Sequence, residues 1–326
     1  MFKTPVLLIC FNRPTPTRRV LESILAAEPQ NLYVFQDGAR EGKETDVQKC
    51  QAVRDVVKEL TTLYSCENKD FSLHTNYSTN NLGCGRGPYT AISWLFENEE
   101  CGIILEDDCV AHLDFFPYCE ELLEKYKDDY RIGHIGGSNY GYSVEDASYL
   151  FSGGHFQTWG WATWKRSWEQ MDYYLDNISF SDFRTIIRKY YKSFRQRIYW
   201  WYIFDMVKKD RMGESCWDYQ YIFSYWKQRQ LIICPKSHLV TNIGDGSDAT
   251  HTHGNNDGMI NRKLSPIMPL VHPLSVVQDW DYDDYMMRHF VISYEYGWNG
   301  IKGFPYRLNK LLKKLIGHEG PWIKRK

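Results

Sequence analysis

Gly102-Ile103-Ile104-Leu105-Glu106-Asp107-Asp108 is an apolar run that ends in three consecutive carboxylates. A short continuous apolar run is typical of a strand buried on both faces of a parallel sheet. In such sheets ligands bind beyond the carboxyl ends of the strands. The three acidic residues are therefore predicted to stand at the binding edge of an α/β domain.

The residues before this strand repeat one unit, in which an apolar run is followed by a helical stripe. Strands joined by single helices form right-handed βαβ units and a mainly parallel sheet. The second half of the chain is more irregular and is predicted to contain one aromatic, basic helix over about residues 181–209. Strands are predicted at residues 5–11, 32–36, 71–74, 102–105 and 231–234, with helices that begin after the N-cap Thr15, span residues 47–60 and begin at Pro88.

The composition is that of a globular protein without an export signal. Its 326 residues, 43% hydrophobic and 25% charged, are enough for one large domain or two small ones. A net charge of -2 argues against a nucleic-acid-binding protein. The apolar run at residues 6–11 is too short for a signal peptide, and no run approaches a membrane span, so a cytoplasmic location is expected. Nine cysteines without ligand spacing exclude a zinc finger or a disulfide scaffold.

Three polar loops follow strands of the predicted sheet and are expected to meet at one edge. They are Asn12-Arg13, Gln36-Asp37-Gly38 and Glu106-Asp107-Asp108. Because side chains alternate along a strand, Glu106 and Asp108 can point the same way and suit Mg²⁺ or Mn²⁺. In isolation each loop has a plainer interpretation, namely a solvated turn after a strand.

A glycine-rich loop, residues 81–88, precedes the helix predicted at Pro88. Backbone amides at a helix start can hold an anion, and Arg86 could add a bond to a phosphate. A loop that merely caps the helix explains the same residues. Both interpretations stay open on sequence alone.

Taken in order, several motifs resemble the GT-A fold glycosyltransferases, in particular the N-acetylglucosaminyltransferase I type and its bacterial relatives. The resemblance covers about 230 residues. It rests on Pro5 to Arg13, Gln36-Asp37-Gly38, Asn81-Leu82-Gly83, Leu105 to Asp108 with Asp114-Phe115-Phe116, and Trp217-Asp218.

The resemblance implies a role for each matching residue. It implies that Arg13 contacts the nucleotide and Asp37 the uracil, that Asp108 binds the metal, and that Glu106 and Asp107 bind ribose and sugar. Asp218 would be the general base, although an N-cap explains it as well; Glu214 is the nearest substitute. In the loop 242–254, Ser247 would contact phosphate and His251 or His253 would complete the metal shell, unless these are ordinary loop residues.

Aromatic residues and the C-terminal tail allow two interpretations each. Residues 159–164 and the aromatic residues at 190–202 could wall a sugar or acceptor groove, or could simply pack in the core. The basic amphipathic tail, residues 306–326, could lie on an anionic membrane or pack on the domain.

Together these features predict a GT-A α/β domain over residues 1–300, with a donor half to about residue 135, an acceptor half to 300, and a tail at 301–326. The activity that the resemblance implies is metal-dependent, inverting transfer of a sugar, by default N-acetylglucosamine, from a UDP-sugar to a glycan or lipid-linked acceptor. The alternatives are a catalytically silent binding protein on the same fold and, less favoured, a glycosidase.

Overall fold

The computed structural model describes residues 2–154, 157–210, 216–244 and 260–291. Within these ranges the chain forms ten strands and nine helices. Strands and helices alternate over the first 125 residues, apart from two consecutive strands, and their order is less regular afterwards. The strands are β1 (Val6–Cys10), β2 (Asn31–Gln36), β3 (Ser72–Tyr77), β4 (Cys101–Glu106), β5 (Cys109–Ala111), β6 (Ile132–Gly136), β7 (Tyr149–Ser152), β8 (Trp161–Trp164), β9 (Leu231–Pro235) and β10 (Val240–Asn242). The helices are α1 (Pro14–Leu25), α2 (Glu44–Glu67), α3 (Gly83–Asn98), α4 (Phe115–Lys125), α5 (Lys165–Trp168), α6 (Phe180–Tyr190), α7 (Phe194–Asp210), α8 (Asp218–Lys227) and α9 (Trp280–Met286), which continues as a π-helical turn, Met287–Val291.

Eight strands form one sheet in the order β3-β2-β1-β4-β8-β6-β9-β7. Strands β1 to β4 pair in parallel, and β6 and β9 run in the same direction as them. Only β8 and β7 run the opposite way. The α/β fold with a mainly parallel sheet flanked by helices is therefore confirmed, with an antiparallel strand inserted beside β4. A second sheet pairs β10 with β5.

Helices cover both faces of the large sheet because its central strands are apolar on both sides. Val6 and Leu8 of β1 face the cluster that contains α1, α2 and α4, whereas Leu7 and Ile9 face the cluster that contains α3 and the helices of the second half. This is the two-sided burial expected of a parallel sheet. Because helices cover both faces, a ligand can reach the sheet at the loops that follow the carboxyl ends of its parallel strands.

Two predicted helix starts are too late in the chain. Helix α1 begins at Pro14 rather than behind Thr15, and proline suits a first-turn position because it has no amide hydrogen to satisfy. Helix α3 begins at Gly83, five residues before Pro88. The earlier start is possible because the carboxylate of Asp37, 45 residues away, accepts hydrogen bonds from the first amides of α3.

The aromatic residues of the second half belong mostly to the core. Trp161 on β8 is fully buried and stacks on Trp217 with ring centroids 5.6 Å apart. The helix predicted over residues 181–209 is two helices, because Tyr191 leaves α6 in an extended conformation and its hydroxyl donates to the carbonyl of Gly154. Trp200, like most of the aromatic residues at 190–202, is buried and does not wall a groove.

Across the described ranges, no helix has both the length and the apolar character that a membrane crossing requires. Residues 301–326, the predicted tail, lie outside the described residues.

The buried carboxylate of Asp283 connects α9 to the end of β7 by hydrogen bonds. Asp283 accepts hydrogen bonds from the Ser152 hydroxyl, from the amides of Gly153 and Gly154, and from the Gln278 side chain. Burial raises the pKa of Asp283 to about 6, although these donors oppose the shift. The folded protein therefore holds a proton on this group more tightly than the unfolded chain does.

Asp283 should make stability fall as the pH rises. The folded pKa of Asp283, about 6, exceeds the unfolded value of 3.8. The contribution of its protonated carboxyl group to the free energy of unfolding is therefore complete below pH 4 and is lost between pH 4 and 6. The loss amounts to about 3 kcal/mol. In urea unfolding, the stability difference between the wild type and Asp283→Asn, which cannot titrate, should change by that amount between pH 4 and 7. A difference that is constant with pH would contradict the assignment.

Candidate active site

The candidate site lies where the order of the strands reverses, between β1 and β4. Ile9 at the end of β1 is paired with Glu106 at the end of β4, so the loops after both strands start side by side. The crevice outside the carboxyl ends of two such strands is the usual binding position in a doubly wound sheet. The predicted meeting of the Asn12-Arg13 and Glu106-Asp107-Asp108 loops at one edge is found.

Arg13 bridges two of the three carboxylates. Its guanidinium makes an ion pair with Asp107, and a second one with Asp108 at 3.0 Å. The Asp107 side chain is buried and also accepts from the backbone amide of Phe11 at 3.4 Å. A carboxylate placed so deeply needs a cation beside it, and the guanidinium supplies one.

Burial and charge act in opposite directions on this pair. Burial raises the pKa of Asp107 and Arg13 lowers it, while the two carboxylates outweigh burial and raise the pKa of Arg13. We take the pair as charged, because a guanidinium does not lose its proton in proteins and the contacts are short. Arg13 is thereby fixed in position at the mouth of the crevice.

The ion pairs of Arg13 involve Asp107 and Asp108, and the third carboxylate is that of Glu106. Burial, followed by the charges of Asp108 and Asp107, raises the pKa of Glu106 to about 8, and Asp218 acts in the same direction. Asp218, from the second half of the chain, therefore lies within electrostatic range of Glu106. It is the first residue of α8, whose N-cap position is taken by Trp217, so the predicted N-cap role for Asp218 is wrong by one residue.

A crossing strand from the second half covers one side of Asp108. The amide of Ile243 donates to the Asp108 carbonyl at 2.8 Å, and Asn242 is paired with Cys109. A Cβ atom at Gly244 would lie 2.3 Å from Oδ2 of Asp108, so a larger residue there would displace the Asp108 carboxylate. The sequence singles out the loop 242–254 but does not predict that Asn242 and Gly244 approach Asp108, because that approach depends on the pairing of β10 with β5.

Several predicted residues cannot be placed. Ser247, His251 and His253, and the substitute base Glu214, lie outside the described residues. Their roles remain predictions.

Asp108 fits one position in the shell of a divalent cation. Glycine at 244 places no Cβ atom against Oδ2 of Asp108, an oxygen that also pairs with Arg13 at 3.0 Å, whereas the buried Asp107 carboxylate is held by both Arg13 and the amide of Phe11. Within the four described ranges, no three His, Cys, Asp or Glu side chains are grouped to hold a metal ion. Mg²⁺ and Mn²⁺ are often held by one or two carboxylates, with water and substrate phosphates completing the shell. The donor set therefore suits such a cation only together with a substrate.

Asp37 anchors the turn that leads into α3. Its carboxylate accepts from the amides of Leu82 at 2.8 Å and Gly83 at 3.0 Å, and from the side chain of Asn81 at 3.0 Å. Burial raises the pKa of Asp37, and these amides oppose the shift. The amides of Leu82 and Gly83 are thus satisfied by the chain itself.

Asp37→Ala should destabilise the protein by about 2 kcal/mol, because it leaves two backbone amides and the Asn81 side chain without their charged acceptor. Asp37→Asn, which keeps one acceptor oxygen, should lose less. Denaturant unfolding of both variants measures the effect. Wild-type stability of Asp37→Ala would show that the turn does not depend on this carboxylate.

Two other predicted ligands are engaged elsewhere. The side chain of Asn12 donates to Asp46 on α2 at 2.9 Å. Arg86 is exposed on the outer flank of α3 and donates to the hydroxyl of Tyr174 at 2.6 Å. The structure therefore brings Arg13, Glu106, Asp107, Asp108 and Asp218 together, and places Asn12, Asp37 and Arg86 around them in contacts within the protein.

The chain is similar in fold to several solved structures. S. aureus TarS 1–349 matches over 52% of this chain and 49% of that chain, with 11% identity and a TM-score of 0.35. HddC from Yersinia pseudotuberculosis matches over 52% of this chain and 80% of its own, with 11% identity and a TM-score of 0.30. A putative glucose-1-phosphate thymidylyltransferase from Bacillus anthracis, in complex with a sucrose, matches over 54% and 77%, with 10% identity and a TM-score of 0.30.

These likenesses concern the fold alone, and the chain spans about half the length of TarS 1–349. No protein-family model matches the chain.

Proposed function

We propose that the chain is a metal-dependent glycosyltransferase that moves a sugar from a UDP-sugar to a hydroxyl of a glycan or lipid-linked acceptor, with inversion. The observation that carries the proposal is the arrangement of Arg13, the carboxylates 106–108 and Asp218 at one sheet edge. It combines a fixed cation, a carboxylate beside Gly244 and a carboxylate from the opposite half of the chain. N-acetylglucosamine is the default donor sugar.

In this proposal Asp218 is the general base. A carboxylate at the start of α8 takes the proton of the acceptor hydroxyl as that oxygen attacks the anomeric carbon of the donor. The bond between that carbon and the phosphate oxygen breaks, and UDP leaves with the electron pair. Glu106, which lies within electrostatic range of Asp218, would bind a hydroxyl of the donor.

Arg13 and Asp108 serve the leaving group. Arg13 holds positive charge at the mouth of the crevice, where the pyrophosphate would lie. A Mg²⁺ or Mn²⁺ ion on Asp108 would neutralise the charge that develops on the pyrophosphate oxygens. Asp107 keeps Arg13 in position through their ion pair.

A product assay distinguishes the possible reactions. The purified protein with Mn²⁺ is incubated with a panel of UDP-sugars, with or without acceptor glycans, and separately with nucleoside triphosphates and sugar 1-phosphates. The proposal expects release of UDP from at least one UDP-sugar. Pyrophosphate release from the triphosphates alone would indicate a nucleotidyltransferase, whereas nucleotide binding without turnover would indicate a silent binding protein.

A further inference from the structure

A cavity of about 620 Å³ opens between the outer flank of α3 and the loop of residues 169–177. Leu82, the N-cap of α3, and Arg86 and Tyr89 within that helix line the cavity with the spacing of one helical face, and Lys227 at the end of α8 lines it as well. Pockets of roughly 300–1,000 Å³ hold drug-sized ligands. The cavity therefore has room for more than a single sugar ring.

Tyrosine rings form a corner inside the cavity. The rings of Tyr173 and Tyr174 are almost perpendicular, at 88°, with centroids 5.1 Å apart, and Tyr89 lies 4.6 Å from Tyr173. Tyr174 is 50% exposed, and its hydroxyl accepts the hydrogen bond from Arg86. Rings with polar tips suit a ligand that has an apolar C–H face and hydroxyl groups at its edge, as a pyranose has.

The charges around the cavity balance. Arg86 and Lys227 contribute two positive charges, and Glu169 and Asp172 contribute two negative ones. Asp172 is already used by two backbone amides of its own loop. A phosphate or an acidic sugar would meet carboxylates as well as cations, so the lining favours a neutral polar ligand.

Tyr173 lines the cavity and lies within electrostatic range of two thiols near the candidate active site. It is buried, and the thiols of Cys84 and Cys216 are among the groups that influence its pKa, which burial raises. Cys84 is in turn within electrostatic range of Glu106 and Asp218. At about 1.5 Å per residue along α8, Lys227 lies roughly 13 Å from Asp218. Helix α8 thus runs from Asp218 in the candidate site to Lys227 in the lining of the cavity.

We infer that this cavity is an extended acceptor subsite, which binds a neutral sugar ring one or two units away from the ring that receives the transferred sugar. This inference rests on the proposed function. Tyr174 would stack on the bound ring, and Arg86 would hold Tyr174 in place and donate to a sugar hydroxyl. The acceptor would then be an oligosaccharide rather than a single sugar.

Binding of two sugar ladders tests the inference. NMR titrations of the full chain compare N-acetylglucosamine with chitobiose and chitotriose, and glucose with maltose and maltotriose. In at least one ladder the trisaccharide should bind roughly ten times more tightly than the monosaccharide, and Tyr174→Ala should remove most of that gain. Tyr174→Phe, which keeps the ring, should retain the larger part of it. Tyr130→Ala, at a more exposed tyrosine that does not line the cavity, is the matched control and should have no effect.

Each outcome decides the matter. Equal binding along both ladders, absence of binding, or a gain that Tyr174→Ala leaves intact would overturn the subsite. Titrations of the wild type with UDP and Mn²⁺ test the proposed function separately. Nucleotide binding without a length-dependent gain would support the proposed function and overturn the subsite. A Tyr174-dependent gain without nucleotide binding would show that the cavity binds sugars and would overturn the proposed function.

Discussion

Replacing Asp218 with Asn is expected to lower the rate of sugar transfer by roughly 10²–10⁴-fold, the usual contribution of a positioned general base. Asparagine has almost the same shape but cannot take the proton of the acceptor hydroxyl. Binding of UDP should be little changed, because Asp218 lies on α8 and the nucleotide is proposed to bind at the ends of β1 and β4. The measurement is the initial rate of UDP release with acceptor, beside a titration with UDP.

Asp281→Asn is the matched control for this prediction. Asp281 also lies in the first turn of a helix, α9, but it is exposed and distant in sequence from the site. It should transfer sugar at the wild-type rate. If Asp218→Asn transfers sugar as fast as this control, Asp218 is not the base.

Arg13→Ala should destabilise the protein by about 3–5 kcal/mol, because it leaves the buried Asp107 carboxylate without its cation. The loss comes mainly from an uncompensated buried charge rather than from the attraction in the pair. Adding Asp107→Asn to Arg13→Ala should therefore recover part of the stability. Urea unfolding at pH 7 measures all three free energies.

Helix α1 supplies a matched control for the ion pair. Arg18 pairs with Glu59 at 2.6 Å, but this pair lies at the surface, where water screens the charges. Arg18→Ala should therefore lose far less stability than Arg13→Ala. Equal losses in the two variants would mean that the Arg13 pair is not a buried structural element.

The donor half of the fold could be predicted because its signals are local. Continuous apolar runs indicated β1, β2 and β4, and the carboxylates after β4 indicated the binding edge. Parallel pairing then requires that the loops after β1 and β4 meet, and the contact between Arg13 and Asp108 follows from that geometry.

The remaining features depend on contacts between distant residues. The early start of α3 is possible because Asp37 accepts from the amides of Leu82 and Gly83, and the sequence around Gly83 does not indicate a partner in the loop after β2. β8 is only four residues long, and its tryptophans suggested either a sugar wall or core. Its insertion between β4 and β6 buries Trp161, a result that depends on the whole sheet.

The cavity beside α3 was also beyond sequence reasoning. Tyr89 and Tyr174 are 85 positions apart in the chain, and no spacing rule joins a helix flank to a loop at that separation. The sequence leaves open whether Arg86 binds a phosphate or belongs to a capping loop, and it gives no sign of the hydrogen bond that Arg86 donates to Tyr174.

The central claim is that the edge around Asp108 binds a nucleotide together with a divalent cation. Calorimetric titration of UDP into the wild type and into Asp108→Asn, each with and without Mn²⁺, tests it most directly. We predict binding to the wild type that weakens at least about tenfold without Mn²⁺, a dependence that Asp108→Asn loses. UDP binding that is absent, or that is equally tight without the metal and in the variant, would contradict the claim.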